Sequence, residues 1–322
     1  MRYRTLGQSG LMVSVVGLGL NNVGTRLDLG QTRALFDAAT DLGVTLLDTA
    51  DTYGGQGASE RIVGEALQGR RDDFVLATKF GHDMGDIYGA DFGARGSRRY
   101  IRKAVEGSLR RLRTDYIDLY QYHRPDNITP IAETLAALHE LVQEGKVRYI
   151  GSSNFTGWQV ADAAWTAETA GFAPFISEQG EYSLARREIE REVVPAADRF
   201  GVGILPYFPL ASGILTGKVA RDRQAPAGSR LGADRFKVWL TDDAFDLVDR
   251  LTAYAKERGL SILDVAVGGL AAQPAVASVI AGATSPEQLS QNVAAADWQP
   301  TEEDLAALDD IAPPATNIPF GR

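Results

Sequence analysis

The sequence predicts an α/β protein, a closed (β/α)8 or TIM barrel with an N-terminal β-hairpin cap and an extra C-terminal helix. Three observations predict it. Short apolar runs alternate with helix-length amphipathic segments along the 322 residues, the pattern of parallel strands joined by crossover helices. The runs are near-continuously apolar, as expected of strands covered on both faces. The glycine-rich phosphate turn of a doubly wound open sheet is also poor here, because Gly17-x-Gly19 runs on into Leu20-Asn21-Asn22-Val23-Gly24 with a helix only later. The open sheet is therefore the runner-up, and one domain spanning residues 1–322 is expected.

Taken in order, Tyr3–Leu6 and Leu11–Val13 flank Gly7-Gln8-Ser9-Gly10, a hairpin too short to be a pair of barrel strands and read as a plug. Val15–Gly19 is the first barrel strand. Gln31–Leu42 is the first helix, with Leu35, Ala38, Ala39 and Leu42 on one face and Gly43 as its stop. Strand two is Leu46-Leu47 and helix two Ser59–Leu67. Phe74–Thr78 and Ser97–Leu112 form the third pair, Ile117–Tyr122 and Pro130–Glu144 the fourth. Val147–Gly151 with Trp158–Ala170, then Phe175–Glu178 with Ile189–Phe200, give the fifth and sixth, and Val202–Leu205 is strand seven. The segment Ala211–Leu240 breaks the rhythm with repeated Gly and Pro, and a loop of that length is usually functional or disordered. Helices resume at Thr241–Arg258 and Ile262–Ala272; strand eight is Val276–Ile280, followed by helices Pro286–Ala295 and Glu302–Ile311.

Composition narrows the function. Lys plus Arg total 33 against 42 Asp plus Glu, a net charge of −9, which argues against nucleic-acid binding through a basic footprint. There is no cysteine, so disulfides, thiolate nucleophiles and thiolate metal sites are excluded. The three histidines, His82, His123 and His139, lack metal-ligand spacing, and no metal is expected. The start MRYRTLGQSG has no apolar signal region, and no apolar run reaches the roughly 18 residues of a membrane span, so a cytoplasmic protein without membrane attachment is expected.

In such a barrel the chemistry sits at the C-terminal ends of the strands. Asp48 closes Val44-Thr45-Leu46-Leu47, and Tyr53 follows in a loop punctuated by Gly54, Gly55 and Gly57. Strand three leads to Lys79 and strand four to His123. An ammonium among Phe74, Val75, Leu76, Ala77 and Phe80 needs a carboxylate partner, and Asp48 is the obvious one. A lysine cation close to the Tyr53 phenol favours the phenolate, which suits a proton donor to a carbonyl oxygen, and His123 could orient that oxygen. Singly, each has a bland reading: Asp48 a turn cap, Tyr53 a loop aromatic, His123 a structural side chain. Jointly, four such residues on three consecutive strand ends point to an active site.

These residues stand in motifs that resemble the aldo-keto reductase family, and the resemblance spans nearly the whole chain. GVTLLDTADTYGGQGASERIVG (Gly43–Gly64) is similar to its first signature, and its Asp, Tyr, Lys, His tetrad falls on Asp48, Tyr53, Lys79 and His123. GSSNF (Gly151–Phe155), EQGEYSL with Gln179 and Tyr182, PLASGILTGK (Pro209–Lys218) and IAGATSPEQLSQN (Ile280–Asn292) also match. The long loop after strand seven, with GSR at Gly228–Arg230, resembles the bacterial and potassium-channel β-subunit branch.

The resemblance implies a nicotinamide cofactor, NADP(H) with NAD(H) as the alternative, laid across the barrel mouth. It implies that Ser153, Asn154 and Gln179 hold the carboxamide and Tyr207 stacks on the nicotinamide. Leu210, Gly213 and Lys218 would line the pyrophosphate, Arg230 would reach the adenine or its phosphate, and Gly282, Gln288, Gln291 and Asn292 would contact adenosine. Two positions depart from the family: Glu178 stands where Asn is common, and Leu20-Asn21 replaces Thr-Trp, which puts Asn21 in the substrate wall. The segment Ala281–Asn292 has no Lys or Arg, with Thr284 and Gln288 at contact positions, so the 2′-phosphate is left to Lys218 and Arg230, with Arg221 and Arg223 as helpers.

The expected activity is hydride transfer between the cofactor and an aldehyde or ketone, or the reverse on a sugar or other alcohol, with Tyr53 as general acid/base. The alternative is a cofactor-bound regulatory or sensor subunit with little turnover. An isomerase or aldolase with a Schiff base on Lys79 is a third reading, but leaves the cofactor motifs without a purpose. Small-molecule carbonyl or alcohol substrates are the expected partners; the sequence does not fix the oligomeric state.

Overall fold

The computed structural model describes residues 1–219, 221, 230–232 and 238–315. Strands β1 (Tyr3–Thr5) and β2 (Met12–Ser14) form a separate antiparallel hairpin. The other eight strands are all parallel: β3 (Val16–Gly19), β4 (Leu46–Asp48), β5 (Val75–Phe80), β6 (Ile117–Tyr122), β7 (Val147–Ser153), β8 (Phe175–Gln179), β9 (Gly203–Ile204) and β10 (Val279–Gly282). Their order, β10-β3-β4-β5-β6-β7-β8-β9, is that of a (β/α)8 barrel.

The seam of the barrel explains the one strand whose position differs from expectation. Residues 276–277 bond toward β9, through the Ile204–Val276 bridge and Ala277 N–H to the Ile204 carbonyl at 3.0 Å, whereas Val279 N–H turns to the Val15 carbonyl at 2.9 Å. The segment bonds both neighbours, since Ile280 N–H also reaches the Pro206 carbonyl at 3.0 Å, and its regular pairing with β3 runs along Val279–Gly282, beginning three residues later than its apolar run.

Several helices begin where a side chain satisfies free backbone N–H groups, among them those that start at Leu29, Arg98, Gly157, Asp242, Ile262, Pro286 and Glu302. In α1 (Leu29–Leu42), Asp28 and Gln31 form a capping box and Gly43 closes the helix in the left-handed region. α2 (Ala58–Ala66), α3 (Arg98–Leu112), α4 (Ile131–Gln143) and α5 (Gly157–Ala170) lie close to their expected bounds. The sixth does not: a 3-10 turn Glu188–Arg191 is broken from α6 (Val193–Phe200) at Glu192. Pro195 is the physical reason, because its ring has no N–H to donate back to Arg191 and collides with that carbonyl in a continuous helix. α7 (Asp242–Glu257), α8 (Ile262–Ala271), α9 (Pro286–Ala295) and α10 (Glu302–Ile311) complete the chain. The first part of the long loop is ordered as a 3-10 turn, Ala211–Thr216, whose Ala211, Ile214 and Leu215 pack with Phe245, Leu251 and Ile262 of α7 and α8.

The hairpin decides which end of the barrel is open. Leu6 is buried with Leu46, Ala77, Leu119, Ile176, Leu205 and Ala277 from the barrel strands. Gln8 N–H donates to the Gly201 carbonyl at 2.7 Å. Gly7 approaches so closely that a Cβ would lie 2.4 Å from the Ile176 carbonyl oxygen, and its φ of +58° also demands glycine. The hairpin plugs the N-terminal end of the strands and leaves their C-terminal ends to form a site.

Candidate active site

Asp48 is the last residue of β4, Lys79 the penultimate residue of β5, and His123 follows β6 directly. Lys79 has 0% exposure, and its ammonium uses all three donors: Asp48 Oδ2 at 2.6 Å, the Thr49 carbonyl at 2.9 Å and Tyr53 Oη at 3.3 Å. The other carboxylate oxygen, Asp48 Oδ1, accepts from Gln121 Nε2 at 3.1 Å and Gln179 Nε2 at 3.0 Å. A buried ion pair this well satisfied holds its geometry, because removing either partner strands a charge. Burial opposes the charge on Lys79, but the Asp48 carboxylate and then Tyr53 outweigh it and hold the lysine above its ordinary value.

Tyr53 is half-buried in the turn after β4, with its N–H on the Ala50 carbonyl and its own carbonyl accepting from Ser59 N–H. Its ring meets His123 edge to face, centroids 5.9 Å apart at 82°. His82 also meets this imidazole edge to face, centroids 4.2 Å apart at 90°. Burial, followed by the Lys79 cation, the neighbouring His82 and Arg124, pushes His123 well below its ordinary range, so it is neutral at pH 7. A neutral imidazole offers one N–H donor and one lone pair rather than a charge.

Above these groups opens a cleft of about 1130 Å³. Asp48, Tyr53 and His123 face it, as do Asn21, Ser153, Asn154, Gln179 and Tyr207, while Lys79 lies beneath. Leu210, Gly213 and Lys218 line it from the loop after β9, and Gly282, Gln288, Gln291 and Asn292 from β10 and α9. Arg230 is not placed at the cleft: its backbone starts a 3-10 turn, Arg230–Gly232, but its side chain lies outside what is described. Arg223 and the Gly228–Ser229 part of GSR also lie outside the described residues.

A family model described as the aldo/keto reductase family matches residues 15–313. The chain belongs to the aldo/keto reductase family. It is 38% identical to "Uncharacterized oxidoreductase YrpG" of Bacillus subtilis (strain 168), over 97% of this chain and 96% of that protein. It is 37% identical to "Probable voltage-gated potassium channel subunit beta" of Oryza sativa subsp. japonica (93% and 92%), and 33% identical to "L-glyceraldehyde 3-phosphate reductase" of Escherichia coli O157:H7 (96% and 92%). The chain is an oxidoreductase of a family that binds a nicotinamide cofactor and acts on small molecules. No helix among the described residues is long and apolar enough to cross a membrane.

The cleft of this aldo/keto reductase fits a dinucleotide. Its volume of about 1130 Å³ exceeds the roughly 300–1,000 Å³ of ordinary ligand pockets. Ala211, Ser212 and Gly213 all have positive φ, with the Ala211 and Gly213 N–H groups bonded to the Phe208 and Leu210 carbonyls, and Ser212 Oγ, at the cleft, is buried with no hydrogen-bond partner among the described residues. On the opposite side Tyr207 Oη donates to Asn154 Oδ1 at 2.8 Å, and Asn154 Nδ2 donates to Ser153 Oγ and the His123 carbonyl, both at 2.9 Å. These bonds lock the aromatic face and the amide into one unit.

Several contributors were missed from sequence. Gln121 was read only as part of a strand, although its register opposite Lys79 brings it to Asp48. Gln179 has a structural bond to Asp48 besides its expected place in the cleft. His82, three residues beyond Lys79, and Arg124, beside His123, also line the cleft. Arg221, expected to help with a phosphate, is instead held by Asp242 and Asp246 of α7. Glu178 is wholly buried: one oxygen accepts from Phe155 N–H at 3.0 Å and the other has no hydrogen-bond partner among the described residues.

Proposed function

We propose that this oxidoreductase reduces a small aldehyde or ketone, or oxidises the corresponding alcohol, using NADP(H) in preference to NAD(H), with Tyr53 as the proton donor. The reading rests on one observation, the 3.3 Å contact between Tyr53 Oη and Lys79 Nζ, whose charge is fixed by Asp48. A nicotinamide dinucleotide, when bound, supplies the hydride for the carbonyl carbon. Tyr53 gives its proton to the carbonyl oxygen, and the Lys79 cation stabilises the phenolate left behind. His123, neutral and held between His82 and Tyr53, orients the carbonyl oxygen without competing for the proton at pH 7. In this reading Ser153, Asn154 and Gln179 hold the carboxamide and Tyr207 carries the nicotinamide face. Leu210, Gly213 and Lys218 take the pyrophosphate, Gly282, Gln288, Gln291 and Asn292 the adenosine, and Asn21 forms part of the substrate wall.

The preference for NADP(H) is supported by the N-terminus of α9 on the rim of the cleft, where Thr284 and Gln288 are joined through Gln288 Oε1 at 2.9 and 3.0 Å. Loss of NADPH absorbance at 340 nm with a panel of aldehydes tests the proposal. Turnover is expected, faster with NADPH than NADH, and its absence across the panel would overturn it. The similarity to a protein named as a channel β subunit supports a second reading, a subunit that holds the cofactor with little turnover. Tight NADPH binding without aldehyde-dependent oxidation distinguishes it.

A further inference from the structure

One cation of the cleft, Arg124, stands away from the loop assigned to the pyrophosphate and beside the reacting groups. Arg26, Arg124 and Lys218 all line the cleft, and none forms an ion pair among the described residues. The two acids that line it are both engaged: Asp48 by Lys79, and Asp264 by Ser261 N–H and Oγ at 2.7 and 2.8 Å. In a chain of net charge −9, a concave site with excess cations focuses its field on an incoming anion.

Lys218 stands in the loop assigned to the pyrophosphate. Arg124 stands elsewhere, next to His123 at the end of β6, and its charge acts on His82, His123 and Tyr207, the aromatic groups around the reacting centre. The nearest acid along the chain, Asp126, is not available to it. That carboxylate accepts from Gly96 N–H at 2.7 Å and from Ile128 N–H, Thr129 N–H and Thr129 Oγ1, each at 2.8 Å. Arg124 is solvent-exposed at the cleft, so its guanidinium keeps its charge and all its donors for a ligand.

We propose that Arg124 is a specificity residue that selects carbonyl substrates bearing a carboxylate or phosphate a few bonds from the carbonyl, an inference that rests on the reductase reading above. The guanidinium takes the anion as a paired acceptor, and this fixes the carbonyl end of a short substrate beside Tyr53 and His123. Binding energy from the non-reacting end of the substrate then serves orientation.

The test compares 4-carboxybenzaldehyde with its methyl ester, and glycolaldehyde phosphate with glycolaldehyde, as ratios of kcat/KM at low salt. In the wild type at least one charged substrate should exceed its neutral partner by about tenfold or more, the scale of one charge-assisted hydrogen bond. Arg124→Ala should collapse that ratio, Arg124→Lys should restore part of it, and added salt should erode it. Selectivity confined to one pair identifies which anion is read. A wild-type ratio at or below unity for both pairs, or a ratio unmoved by Arg124→Ala, overturns the inference while leaving the reductase reading intact. If no aldehyde turns over, the reductase reading fails, and calorimetry of 4-carboxybenzaldehyde with the NADP+-loaded protein decides the inference instead. Binding weakened about tenfold in Arg124→Ala supports it; equal binding, or none to the wild type, overturns it.

Discussion

Glu178 accepts a hydrogen bond from Phe155 N–H at 3.0 Å, tying the interior of β8 to the turn that carries Ser153 and Asn154. Burial pushes its carboxyl up to about 8, far above the ordinary 4.5, although the Ser152 hydroxyl and then the Phe155 and Asn154 N–H groups pull the other way. Between those two values the unfolded chain has released this proton and the folded chain retains it. The stability contributed by the neutral acid is thus fully present below about 4.5 and is lost as pH rises toward about 8, at roughly 1.4 kcal/mol per pH unit. Glu178→Gln removes this titration, so the variant should match the wild type near pH 5 and exceed it in stability above pH 8. Asp51, also raised by burial, leaves a residual slope of the same sign. Urea midpoints at both pH values check this, and an identical wild-type-to-variant difference at each would exclude Glu178 as the titrating group.

Tyr53→Phe removes one hydroxyl and leaves the Lys79 bonds to Asp48 and Thr49 in place. Turnover should fall by about 10²-fold or more, the scale of a lost general acid, while NADPH affinity changes little. Single-turnover kinetics and a fluorescence titration give the two numbers; carbonyl reduction near the wild-type rate removes Tyr53 from the mechanism.

The Asp48–Lys79 pair makes a prediction that separates stability from chemistry. Lys79→Met leaves Asp48 buried with only two amide donors, and Asp48→Asn leaves the ammonium without its counter-charge. Each should cost about 3–5 kcal/mol, and the double variant should cost less than the sum of the two. Any activity left in Lys79→Met should also show an altered pH profile, because the cation beside the phenol is gone. Additive denaturation energies would show that the two residues do not act as a pair.

Much of this site was legible because a parallel barrel converts strand ends into one surface: Asp48, Lys79 and His123 are separated in sequence but adjacent by topology. The hairpin plug was legible from its length and glycines. What escaped depended on partners that sequence does not bring together. Gln121 reaches Asp48 only through its register with Lys79, and Arg221 meets Asp242 and Asp246 only once the loop folds back on α7. Strand eight was offset because barrel closure onto both β9 and β3, rather than apolarity alone, sets where its regular pairing begins. The break before α6 did have a signal, Pro195, which the apolar periodicity overrode.

The choice of dinucleotide is the last prediction. NADP(H) differs from NAD(H) by a 2′-phosphate that favours arginine or lysine, and the segment lining the adenosine side has only Thr284, Gln288, Gln291 and Asn292. Gln288 Oε1 is occupied by Thr284, so its amide NH2 is the part left for a ligand. We place the phosphate-reading cation on the loop after β9 rather than on Arg26, which lines the cleft from the loop after β3. Arg221 is removed from consideration by its two aspartates, which leaves Lys218 in the cleft and Arg230 near it in sequence. We predict that Arg230→Ala weakens NADPH binding about tenfold more than NADH binding, the size of a single charge-assisted contact, and that Arg221→Ala leaves both unchanged. Dissociation constants for the two dinucleotides on the wild type and both variants decide it: equal losses for NADPH and NADH in Arg230→Ala, or a wild type that prefers NADH, would rule out Arg230 as the residue that reads the phosphate.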